Sequence, residues 1–264
     1  MIGRAVPCCF FVNPEGAPGW RNMALDRGLL DLATDDGATY LRLYRWEPHC
    51  LSFGRNEPAT RRYDQAQIQR LTLPVVRRPT GGRAVWHGHE LTYALAAPTA
   101  GFGNLKEAYH EIHAMLAQAL TRLGVAASLA PSPIGPVGLD AGPCFASPAG
   151  GEIMLPGGKV VGSAQLRLGQ VFLQHGSLLL EGSQEPVRAL LRGSSDVQAT
   201  GDTSLSNALG RRVPFGEVAD AIRSCLAEWR GPWLPADGAA IGRLEVAAAR
   251  HAPLFRSDAW TWHR

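Results

Sequence analysis

The stretch from Glu152 to Leu180 most constrains what this chain can fold into. It reads EIML, PGG, KVVGSAQLRL, GQ, VFLQHGSLLL, a series of apolar runs separated by tight turns that contain glycine. Turns this short join antiparallel neighbours, whereas a parallel pair needs a crossover of about a dozen residues. Further strands are expected in the alternating run TYLRLYRW at 39–46, at Cys50–Phe53 beyond Pro48, and in ELTYALAA at 90–97.

Helices separate and follow these strands. Leu25, Leu29 and Leu32 share one face of a helix over 22–33, and a short polar helix fits 63–71. The strongest period runs from Leu105 to Leu123, with Gly124 placed to stop it. Helices are also expected at 185–192, at 203–209 before Gly210, and at 214–229. Residues 130–143 form a Pro/Gly-rich stretch without periodicity, read as a mobile loop leading to a site. The pattern predicts an α+β fold, a mixed and mostly antiparallel sheet flanked by helices, with residues 1–264 as one domain.

Composition narrows the function classes. Net charge is +3, from 26 Lys+Arg against 23 Asp+Glu, with no basic block, so nothing points to nucleic acid. The five cysteines, Cys8, Cys9, Cys50, Cys144 and Cys225, show no zinc-site spacing and fit free thiols in a reducing, cytoplasmic setting. The early apolar patch VPCCFFV is interrupted by Pro7 and is not read as a signal peptide. No run approaches the ~18 apolar residues of a membrane helix.

Two segments concentrate chemistry. In RRPTGGRAVWHGHELTYAL, Arg77 to Leu95, a Gly-Gly turn lies among arginines and histidines. Such a turn can gather backbone N–H groups on an anion or carbonyl oxygen, and arginine adds forked donors. Leu91, Tyr93 and Leu95 alternate and could line an apolar groove. The same residues also suit a plain hairpin with solvated arginine and histidine at its tip. In the second segment Cys144 precedes Lys159 by fifteen residues, and Lys159 follows Gly157-Gly158. A hairpin at those glycines would hold Lys159 on a rigid strand, and a lysine beside a thiol favours the nucleophilic thiolate. An inert small cysteine and a surface lysine remain open readings of these residues taken singly.

Read as an ordered pair, RRPTGGRAVWHGHELTY followed by GGKVVGSAQLRLGQVFLQHGSLLL resembles the lipoate–protein ligase and octanoyltransferase superfamily, relatives of the biotin–protein ligases. GWRNMALDRGLL, LSFGRNEP at 51–58 and DTSLSNALGRRV at 202–213 extend the resemblance over about 20–230. After His87 come Gly88 and His89, where relatives often carry an acidic residue. CFASP at 144–148 is similar to the cysteine-dependent branch, which takes octanoyl from acyl carrier protein. The resemblance implies a biotin/lipoate ligase-like catalytic domain in which Cys144 carries the acyl thioester and Lys159 lowers its pKa. It further implies that Arg78, Gly81, Gly82, Arg83, Ala84, His87, Gly162, Ser163, Ala164 and His175 bind substrate, with Val161 and Leu173 as weaker wall candidates. Backbone N–H groups near 80–84 or 162–164 would hold the oxyanion. Partners would be octanoyl acyl carrier protein and a lipoyl-domain protein or glycine-cleavage H protein, with no metal, nucleotide, nucleic acid or membrane. The alternative is an ATP-dependent lipoate or octanoate ligase working through an acyl-adenylate with Mg²⁺; the end at residue 264 leaves no room for the C-terminal domain such ligases commonly add.

Overall fold

The computed structural model describes residues 8–131, 150–193 and 201–264. The chain enters through β1 (Cys8–Ala17), α1 (Gly19–Asp36), β2 (Thr39–Trp46) and β3 (Cys50–Phe53). Two short helices, α2 (Ala59–Arg62) and α3 (Gln65–Arg70), lead to β4 (Val75–Arg77), β5 (Val85–His87) and β6 (Glu90–Pro98). Then follow α4 (Leu105–Arg122), β7 (Ser128–Leu129), β8 (Ile153–Leu155), β9 (Gly158–Leu168) and β10 (Val171–Leu179). The remainder is α5 (Glu185–Ala189), α6 (Leu205–Leu209), α7 (Phe215–Leu226), β11 (Trp233–Pro235), α8 (Gly238–Phe255) and α9 (Asp258–Thr261).

Among the described residues, eight strands form one sheet in the order β11-β1-β2-β6-β10-β9-β8-β7. Only the pairs of β1 with β2 and with β11 are parallel; the glycine-turn unit β8-β9-β10 is antiparallel as its spacing predicts. A second sheet, β4-β3-β5, carries the arginine and Gly-Gly segment. Thus β2 and β3 are adjacent in sequence but belong to different sheets.

The central strands β6 and β10 of the main sheet are buried on both faces. Leu91, Tyr93 and Leu95 of β6 pack with Ile112 and Leu116 of α4 and Val218 and Ile222 of α7. Ala94 and Ala96, on its other face, belong to a second cluster with Leu25 and Leu29 of α1, which α8 extends through Leu244 and Ala247. Leu91 and Leu95 are therefore core residues, not the wall of a groove. Val161 and Leu173 also pack inside these two clusters. A strand covered on both sides has no spare apolar face for a ligand.

The longer elements from α1 to α7 fall where their periods put them; β1, α2, β4, β5, β7, β11, α8 and α9 were not foreseen as elements. The core face of α8 is built largely from alanine, so its apolar signal is weak, although it packs closely on α1. At their crossing a Cβ on Gly28 would lie 3.0 Å from the Ala248 nitrogen, so glycine permits the approach.

Candidate active site

Between the Gly-Gly loop, the start of α4 and β9 lies an open groove of about 680 Å³, bordered by Gly81, Gly82, Tyr109, Glu152, Ser163 and Ala164. Ser163 and Ala164 also border a small inner chamber of about 20 Å³, reached by Arg78, His87, Gly162, His175 and Ser177. A space that size holds about one water.

Lys159 is the second residue of β9, on the β8–β9 hairpin that its glycines predict. Gly158 has φ +144°, and a Cβ there would fall 2.4 Å from the Gly201 carbonyl oxygen. With no side chain in the way, Lys159 N donates to Gly201 O at 2.8 Å and Thr203 N donates to Lys159 O at 2.9 Å. The Asp202–Thr203 segment thus braces the lysine from one side and β8 from the other. The side chain is only 1% exposed, and its Nζ donates to Glu152 Oε1 at 2.5 Å. A buried ammonium needs such a counter-charge. The chain has only two lysines, Lys106 and Lys159, against a large arginine complement. One is buried in an ion pair and the other borders the groove. That scarcity was a readable signal for Lys159, and Glu152 was passed over as its partner.

The Gly-Gly loop is shaped from below. Arg78 Nη2 donates to Gly81 O at 3.0 Å and to Arg83 O at 2.8 Å, while Nη1 donates to Ser52 O and Ser52 Oγ. Its fork holds the loop's carbonyls, so these donors are spent on the frame, where the sequence reading had them facing substrate. Gly54 lets the loop sit down: a Cβ there would lie 1.8 Å from Gly82 O. Gly82 itself has φ +83°. Ala84 is 1% exposed and packs with Leu51, Phe53 and Tyr63, lining neither cavity. Arg83 is half-buried beside them.

His87 is likewise committed. Its Nδ1 pairs with Glu90 Oε1 at 2.7 Å, its Nε2 with Ser52 Oγ at 2.6 Å, and its ring stacks on Trp46. Thr92 and Ser177 also donate to Glu90. Glu90, the first residue of β6, is the acid that this histidine meets. A ring with both nitrogens occupied by a buried network is a structural hydrogen-bonder, not a free base.

His175 closes a third network. Its Nε2 meets Thr80 Oγ1 at 2.8 Å, and its Nδ1 meets Asp26 Oδ2 at 3.2 Å. Asp26 also binds Arg42 at 3.2 Å and the Tyr44 hydroxyl at 2.7 Å. Burial pushes the His175 pKa down, with Asp26 opposing. This network ties the Gly-Gly loop to α1 and β2. Asn22 and Asp26, four apart and buried beside the apolar face of α1, were the overlooked signal.

Ser163 lies where three strands meet in register, Tyr93 opposite Gly176 and Gly176 opposite Ser163. A Cβ on Gly176 would sit 2.2 Å from Ser163 Oγ, so glycine leaves the gap in which Tyr93 Oη and Ser163 Oγ bond at 2.7 Å. His113, from α4, reaches Ser163 Oγ with Nε2 at 2.8 Å and Gly151 O with Nδ1 at 2.6 Å.

Cys144 lies outside the described residues. Ala130 N donates to Glu152 O at 2.7 Å, and Gly151 N donates to Ala130 O at 2.8 Å, so the residues flanking its segment are paired beside Lys159. The described thiols, Cys8, Cys9, Cys50 and Cys225, are all pushed up in pKa by burial, the reverse of what a nucleophile needs. Among the described residues no group of His, Cys, Asp and Glu could hold a metal ion, and no helix is long and apolar enough to cross a membrane.

The model of the lipoyl protein ligase A/B catalytic domain matches residues 18–227. The chain belongs to that family. A curated relative, octanoyltransferase LipM of Kyrpidia tusciae, is 34% identical over 260 residues, covering 92% of this chain and 94% of the relative. The LipM octanoyltransferase of Carboxydothermus hydrogenoformans is 35% identical over 70% of each chain. Lipoate-protein ligase A bound with ATP shares the fold, with TM-score 0.76 at 17% identity over 98% of this chain and 99% of its own. The bipartite lipoate protein ligase of Thermoplasma acidophilum aligns with TM-score 0.67 at 17% identity over 97% and 96% of the two chains. The shared fold is the α+β arrangement expected.

Proposed function

We propose that this chain is an octanoyltransferase. It moves octanoyl from the thioester of acyl carrier protein to the lysine amine of a lipoyl domain or glycine-cleavage H protein, through a thioester on Cys144. The observation that carries this reading is the buried Lys159–Glu152 pair, held on a rigid hairpin beside the groove in a family whose LipM members are octanoyltransferases.

In the first step the Cys144 thiolate attacks the thioester carbonyl carbon, the carbon–sulfur bond to the carrier breaks, and the carrier thiolate leaves. In the second the acceptor amine attacks octanoyl-Cys144, an amide forms, and the Cys144 sulfur departs as thiolate. The proton the amine loses passes to water in the open groove, because the Lys159 ammonium is already fully protonated and the sulfur leaves as thiolate. Lys159 supplies the positive charge that favours both thiolates. Glu152 keeps that ammonium tolerable in a buried setting. The loop of Gly81 and Gly82 and the backbone at 162–164 border the acyl group, and backbone N–H groups there hold the oxyanion. The whole chain works as one catalytic domain in the cytoplasm, without nucleotide or metal.

The test is donor dependence. Octanoyl carrier protein without nucleotide should modify an acceptor lipoyl domain, read by mass spectrometry. Transfer that requires free octanoate, ATP and Mg²⁺ would instead establish the adenylating ligase.

A further inference from the structure

The direction of every hydrogen bond around Ser163 can be assigned atom by atom. The Gly151 carbonyl can only accept, so His113 Nδ1, 2.6 Å away, carries the ring proton. Burial pushes the His113 pKa down to about 4, so the ring is neutral at ordinary pH and Nε2 is a lone pair. At the other end Gln165 Nε2 donates to Leu105 O and to Gln174 Oε1, both at 2.8 Å. That fixes the Gln174 amide, whose Nε2 donates to Tyr93 Oη at 2.8 Å. Two hydroxyls then face one lone pair on His113: Ser163 Oγ at 2.8 Å and Tyr93 Oη at 3.2 Å. The shorter contact, with the 2.7 Å bond between the hydroxyls, orders the chain as Tyr93 to Ser163 to His113. Its hydrogens all run one way, from Gln165 to the Gly151 carbonyl.

Ser163 has therefore spent its only hydrogen on His113 and received one from Tyr93, leaving one lone pair. Its residue is half-buried and borders both the groove and the inner chamber. We infer that Ser163 Oγ faces substrate as a hydrogen-bond acceptor for an N–H group, and that His113 is the positioning residue that holds it in that sense. This rests on the acyl-transfer reading above for the identity of the N–H group. Two substrate groups offer one: the attacking lysine amine and an amide of the carrier's pantetheine arm. The amine is favoured, because attack needs its lone pair on the carbonyl carbon and an N–H held to one side. An oxyanion, which has only lone pairs to offer, is refused at this atom.

Kinetics and spectroscopy test the two halves separately. Ser163→Ala should lower kcat/KM for the acceptor lipoyl domain about 10- to 100-fold, while kcat/KM for octanoyl carrier protein moves less than about threefold. A fall confined to the carrier side supports the acceptor role and assigns the N–H to the pantetheine amide. No fall in either parameter overturns it. His113→Leu should reproduce Ser163→Ala, and His113→Gln, which can keep an acceptor at the Nε2 position, should restore most of the rate. Nitrogen-15 NMR of the wild-type protein should show His113 as the Nδ1–H tautomer between about pH 6 and 8. An Nε2–H tautomer overturns the assignment even if no transfer activity is found, whereas inactivity with the Nδ1–H tautomer overturns the acyl-transfer reading alone.

Discussion

The two glycine-rich segments look alike in sequence and do opposite work in the structure. Around Arg77–Leu95 the charged and polar side chains turn inward. Arg78 binds loop carbonyls, His87 and its neighbours converge on Glu90, and Arg77 donates to Gly54 O at 2.6 Å and Thr261 O at 3.0 Å. Around Lys159–Ser177 the Ser163 hydroxyl borders a groove, and a buried ammonium pairs with Glu152, which borders the same groove. The first segment is a frame, and the second is where we propose the chemistry. A cluster of arginine and histidine is thus no sign of a catalytic surface until its donors have been accounted for.

Substitutions should separate frame from chemistry. Lys159→Met should reduce transfer about 1,000-fold or more, by removing the charge that favours the thiolate. It also leaves Glu152 buried with its ammonium partner gone, at a cost of about 3–5 kcal/mol. In the double variant Lys159→Met/Glu152→Gln, urea unfolding should show stability largely regained while activity stays lost. Recovery of activity with stability would place Lys159 in the frame. Glu90→Ala should act the other way. Loss of a carboxylate that binds His87, Thr92 and Ser177 should cost about 4 kcal/mol in urea unfolding. Turnover per folded molecule should fall far less than for Lys159→Met.

Acid should act through His113. Its pKa is lowered to about 4 from 6.5, so the unfolded chain binds the proton first. The stability this group contributes is complete above about pH 6.5 and is lost as pH falls toward 4, about 3 kcal/mol in all. Denaturant melts from pH 7 to 4 should show a shallower loss for His113→Gln than for wild type. Thr80→Val, which removes the hydroxyl at His175 Nε2, should cost about 1–2 kcal/mol by the same melts.

Much of the fold was legible because its signals are local. Short glycine turns dictated β8-β9-β10, and the long apolar period from Leu105 dictated α4. α8 was not legible: its core face is mostly alanine, and only its packing on α1 gives it a role. At the site, Lys159 on its hairpin followed from Gly157-Gly158 and the strand after them. The roles of Arg78 and His87 did not, because a donor's partner is fixed by tertiary approach: Ser52, Gly81 and Arg83 for one, Glu90 and Ser52 for the other. His113 was hidden for the same reason, on the buried side of an ordinary amphipathic helix, with nothing in its neighbours' spacing to mark it.

The central claim is a covalent one, and intact mass tests it most directly. Wild-type protein incubated with octanoyl carrier protein without ATP should gain one octanoyl group, lose it on addition of the acceptor domain, and gain none in Cys144→Ala. A Cys144→Ala protein that still accumulates and transfers the octanoyl group, or a wild type that gains it only from octanoate and ATP, would contradict the account.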